Sequence, residues 1–156
     1  MITTKEITVL LQEAGYNAQH CNDYFVQMST DNRTYIISVQ ETESGLSYCN
    51  ISIIYSPKGM LTSFGSTGIV SSDIRTAQDA EELLQVYNDI NYKSINVKIC
   101  NDLEGQNTTN LSSGFWFSTT EEYLSYFNAS LEQLNSAADE VEENLFNGQP
   151  FCLSML

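Results

Sequence analysis

Residues 119–145 read TTEEYLSYFNASLEQLNSAADEVEENL, and this stretch decides the fold. Thr119-Thr120-Glu121-Glu122 is a capping box, in which a threonine hydroxyl and a glutamate satisfy the free amides of a helix start. Leu124, Phe127, Leu131, Leu134, Ala138, Val141 and Leu145 follow at spacings of 3, 4, 3, 4, 3 and 4. That period is helical and lines up one apolar seam. A helix over about 120–145 would be about 39 Å long at 1.5 Å per residue. Strands of ordinary length span only about 20 Å. The first half of the seam is therefore expected to pack on the chain's own sheet. Beyond Ala138 it is expected to meet the C-terminal tail or another chain.

Working outward, Phe115-Trp116-Phe117 just before this helix predicts a strand over 114–118, and residues 101–113 read as a polar loop. Ile95, Val97 and Ile99 alternate within 93–100, predicting a strand with one buried side. A second helix is expected from near Thr76, with Asp79 at its capping-box position and Ala80, Leu83, Leu84, Tyr87 and Ile90 on its apolar face. Residues 60–70 read as a loop or a weak strand. Near the N-terminus, Thr3 and Glu6 form another capping box. Ile7, Leu10, Leu11 and Ala14 share one face, and Gly15 supplies the stop. Strands are expected at 23–29, 34–40 and 47–55. The turn 30–33 makes the first two a hairpin, and Pro57-Lys58-Gly59 ends the third. The order is α-β-β-β-α-β-β-α. It predicts an α+β fold: an antiparallel sheet of about five strands with helices on one side. Residues 1–156 read as one domain.

The net charge of −14 comes from 20 carboxylates against 6 basic residues. Such a surface repels phosphates and anionic lipid heads, which disfavours direct nucleic-acid or membrane binding. All six basic residues precede residue 99, whereas residues 99–156 hold nine carboxylates and no Lys or Arg. The uncompensated charge therefore belongs to the last third of the chain, beside the apolar seam. No cationic segment followed by an apolar one opens the chain, so a cytoplasmic protein with reduced thiols is expected.

The residues offer little for catalysis. His20 is the sole histidine. Its neighbour Cys21 would point to the opposite face of a strand, so a dyad there is not expected. Cys21, Cys49, Cys100 and Cys152 lack the paired spacing of zinc ligands, and buried free thiols are the simpler reading. Asp73, Asp79, Glu81 and Glu82 lack calcium-loop spacing and suit a solvated helix start. Gly59, Gly65 and Gly68 match no phosphate-binding loop. No enzyme activity, cofactor or metal is expected.

The element order resembles the YbjN-like family, which shares the fold of class I type III secretion chaperones. The helix end LLQEAGY (Leu10 to Tyr16) and the helix-to-strand passage VYNDINYKSINVKI (Val86 to Ile99) carry the resemblance, over about residues 4–135. It implies a non-enzymatic, chaperone-like or regulatory protein-binding role, often as a dimer, in a bacterial sensory-regulator class. The chain departs from the family in the Asn- and Ser-rich stretch 101–113 and in its extended acidic helix. The expected docking stripe is Leu134, Ala138, Val141 and Leu145, rimmed by Asp139, Glu140, Glu142 and Glu143. A basic protein partner, or a second copy, fits that stripe. The alternative is an acidic inhibitor that imitates DNA and occupies the basic nucleic-acid cleft of a target.

Overall fold

A computed structural model describes residues 2–31, 33–55, 61–64, 67–70, 80–102, 108–145 and 154–155. Helix α1 (Thr4–Glu13) begins at the expected capping box: Thr3 Oγ1 accepts the Glu6 N–H and the Glu6 carboxylate accepts the Thr3 N–H, both at 3.2 Å. Ile7 and Leu11 of α1 are fully buried. Gly15, at φ +95°, takes the left-handed turn that ends the helix.

Strands β1 (Asn17–His20), β2 (Phe25–Ser29), β3 (Thr34–Glu41) and β4 (Ser47–Tyr55) follow, then a short pair, β5 (Leu61–Phe64) and β6 (Thr67–Val70). Helix α2 (Ala80–Lys93), β7 (Val97–Asp102), β8 (Thr108–Phe117), α3 (Thr120–Leu145) and β9 (Ser154–Met155) complete the chain. The main sheet has six antiparallel strands in the order β1-β2-β3-β4-β8-β7. β5, β6 and β9 form a separate antiparallel sheet.

All three helices feed one core on one face of the main sheet. Ile7 and Leu11 of α1, Tyr87 and Ile90 of α2, and Tyr123, Phe127 and Leu134 of α3 join Val26, Ile37, Ile51 and Leu111 of the strands. In β3 and β4 the inward positions alternate: Tyr35 and Ile37, then Cys49, Ile51, Ile53 and Tyr55. The α+β class and the three helices match the expectation.

The sheet has six strands rather than about five. The missed strand, β1, is short and polar, and Ala18 is its one buried residue. The expected loop 101–113 is instead mostly strand, because β7 runs to Asp102 and β8 starts at Thr108. Its polar composition concealed this. Thr109 and Ser113 point inward and are buried, yet both are bonded: Thr109 Oγ1 to the Tyr87 hydroxyl, and Ser113 Oγ to the Ser130 carbonyl at 3.0 Å. Ile95, expected inside a strand, stands fully exposed in the turn after α2, which extends through Lys93. Residues 60–70 contribute β5 and β6. The turn at 57–59, the capping box at 76–79 and Cys152 lie outside the described residues.

On each edge of the main sheet one residue is bonded by an amide side chain from a helix: Ala18 of β1 by Gln12 of α1, and Ile99 of β7 by Asn91 of α2.

Candidate partner-binding surface

α3 starts where Thr119 Oγ1 accepts the Glu122 N–H at 3.3 Å. The Glu122 carboxylate reaches one residue further back than a capping box requires, accepting the Ser118 N–H and hydroxyl at 3.1 and 3.0 Å. These bonds hold its carboxyl below the ordinary value. The seam then runs inward: Phe127, Leu134, Ala138 and Val141 are all 0% exposed. The chain thus covers its own helix as far as Val141, with no second chain present. Leu134, Ala138 and Val141 serve as core here. Leu145 ends the helix, and its side chain lies outside the described positions.

The acidic rim divides in two. Glu142 turns inward and is only 8% exposed. Its Oε2 accepts Arg33 Nε–H at 2.9 Å, a second Arg33 N–H, and the Tyr55 hydroxyl at 3.4 Å. Arg33 also donates to Asp139 and, at 3.3 Å, to the Asn135 side chain, which in turn accepts the Tyr35 hydroxyl. The hairpin turn delivers this cation. Thr30 N–H donates to the Arg33 carbonyl at 2.8 Å and Thr30 Oγ1 accepts the Arg33 N–H at 3.2 Å, which fixes Arg33 at the mouth of β3. Burial works against the charged guanidinium. Its bonds to Glu142 and Asp139 outweigh that and hold Arg33 above its ordinary value. For Glu142 burial wins over the pairing, and its carboxyl is raised. The clasp across 109 positions had no sequence signal beyond the scarcity of arginine.

The other half of the rim faces water. The Asp139 and Glu140 side chains are 73% and 39% exposed, and Glu143 is exposed. Lys93 of α2 stands 3.8 Å from Glu140, and the last turn of α3 holds no basic residue. A helix C-terminus carries about half a negative charge and favours cations. Here four carboxylates crowd that end, with Arg33 and Lys93 as their ion-pair partners among the described residues.

The groups considered for catalysis are differently placed. His20 Nε2 lies 3.0 Å from Thr4 Oγ1. Burial raises the Cys21 thiol, and pushes that of Cys49 up to about 12. Neither is an activated nucleophile at neutral pH. Cys100 is exposed. Among the described residues no three His, Cys, Asp or Glu side chains gather as metal ligands, and no helix is long and apolar enough to cross a membrane.

Neither a family model nor a curated protein sequence matches this chain. Its fold is similar to the solved structure of YbjN from E. coli, provisionally described as a transcription regulator. The TM-score is 0.57 at 12% identity, over 95% of this chain and 94% of that one. At that identity the likeness concerns the fold.

Proposed function

We propose that this chain is a non-enzymatic, cytoplasmic protein-binding module of regulatory or chaperone-like character. A basic protein is its partner, and the exposed end of α3 is the docking site. The observation that carries the reading is the charge at that end. Glu142 and Glu143 lie in the last turn of a 26-residue helix that has no cation there, and Asp139 and Glu140 lie in the turn before it. A partner's Lys or Arg would relieve that repulsion, and the exposed members would steer its approach. Likeness in fold to a provisionally described regulator supports the regulatory half of the reading.

Because Leu134, Ala138 and Val141 belong to the core, the contact is assigned to the rim, Asp139, Glu140 and Glu143. Truncation at Ala137 would strip the core, so neutralising Glu140 and Glu143 is the cleaner test. Partner recovered from native cells with Glu140→Gln/Glu143→Gln should fall several-fold, and wild-type recovery should fall steeply with salt. Unchanged recovery would remove α3 from the interface. The alternative, an inhibitor imitating DNA, requires that duplex DNA compete with this chain for the captured partner.

A further inference from the structure

At the opposite end of β3 from Arg33, a cavity of ≈ 700 Å³ opens between the start of α1, the turn joining β1 to β2, and the end of β3. Its size falls within the usual range for ligand pockets. Ile2 and Val39, both packed on the core, form its apolar floor. Lys5, Asp23 and Glu41 stand on its rim, and Tyr24 forms a wall.

Hydrogen bonds tie the walls together. Buried Thr4 donates its hydroxyl to the Asn22 carbonyl at 2.8 Å, tying α1 to the turn. Asn22 Oδ1 accepts the N–H groups of Tyr24 and Phe25 at 2.8 and 2.9 Å, which locks the turn. The Tyr24 ring nevertheless remains 71% exposed. An aromatic side chain on a fixed turn, offered to solvent at a cavity mouth, is arranged for contact rather than for the core.

We infer that this cavity binds a small zwitterion with an apolar body, the class of free amino acids and dipeptides. Asp23 and Glu41 would receive the ammonium, and the Tyr24 ring face adds attraction for a cation. Lys5, one of six basic residues in the chain, would receive the carboxylate. Ile2 and Val39 would take the apolar side chain. The lining carries both signs, two carboxylates and one ammonium, which suits a ligand bearing both charges. This site is separate from the acidic end of α3.

Isothermal titration with leucine, phenylalanine and leucyl-phenylalanine tests this, with N-acetyl and C-terminal amide forms of each. Saturable binding is expected, with either cap weakening it about tenfold, the loss of one charge-assisted bond. In Lys5→Gln the amide should bind as the parent does. In Asp23→Asn/Glu41→Gln the acetyl form should bind as its parent does. A larger response to the dipeptide than to the amino acids identifies the peptide as the ligand. No saturable binding up to about 10 mM, or indifference to both caps, overturns the proposal.

Discussion

The side-chain amide of Asn91 in α2 bonds both backbone groups of Ile99 in β7: Nδ2 donates to the Ile99 carbonyl at 3.1 Å, and Oδ1 accepts the Ile99 N–H at 2.8 Å. Asn91 thereby stands where another strand would bind. At the far edge Gln12 Nε2 donates to the Ala18 carbonyl at 2.9 Å, and the Ala18 N–H turns to Tyr16. Unpaired edges invite pairing with other chains, and here one residue on each edge is bonded from within. This gives the Asn-containing end of α2 a physical reason.

Asn91→Ala should cost about 2 kcal/mol, the loss of two bonds with the Ile99 groups left to water. It should also open the β7 edge to self-association. Urea denaturation reads the first effect and concentration-dependent light scattering the second. An unchanged scattering mass would show that the edge needs no plug.

On the helix-free face the Tyr48 ring lies across Gly114 and packs on Trp116, with ring centroids 4.9 Å apart. A Cβ at position 114 would overlap the phenol end of Tyr48 and press on the Cys49 carbonyl. Gly114→Ala should therefore cost about 1–3 kcal/mol, as overpacking does. Trp116, the sole tryptophan, should report the displaced ring by a changed emission. Adding Tyr48→Ala should relieve much of the loss.

Removing Arg33 leaves Glu142 buried without its cation. Arg33→Met should cost about 3 kcal/mol at pH 7, the lower end for breaking a buried pair, because both side chains keep slight exposure. The sign with pH follows from Glu142. Its folded carboxyl lies above the ordinary 4.5, so the folded state holds this proton more tightly than the unfolded state. Its contribution is favourable in acid and is lost as pH rises from 4.5 through the raised value. Without Arg33 that rise is larger, so the defect of Arg33→Met should shrink toward pH 4. Arg33→Met/Glu142→Leu should be more stable than Arg33→Met at pH 7. Denaturation curves at the two pH values check both statements.

Among the described cysteines, thiol labelling followed by peptide mass spectrometry should find Cys100 modified first. Cys21, partly buried with a raised thiol, should follow more slowly. Cys49, buried with a thiol at about 12 and 3.5 Å from the Tyr123 hydroxyl, should react only on unfolding. Labelling of Cys49 at the rate of Cys100 would contradict its burial.

Local pattern was enough for the helices and for four of the strands. The ends of α3 fall at Thr120 and Leu145, and β4 spans Ser47–Tyr55, as the periodicity and turn residues indicated. Those signals are local, because caps and apolar stripes act within a few residues of themselves. The acidity of the last third was equally legible. Three things depended on how the elements pack rather than on local pattern. β1 and the polar start of β8 became strands because neighbouring strands and buried hydroxyl bonds completed them. Gln12 and Asn91 reach edge residues only six and eight positions on, because each helix packs beside the strand that follows it. The rim of α3 divided because Arg33, 109 positions from Glu142, drew that carboxylate inward and left Asp139, Glu140 and Glu143 on the surface. Burial and charge pairing are relations between distant residues, and packing brings those residues together.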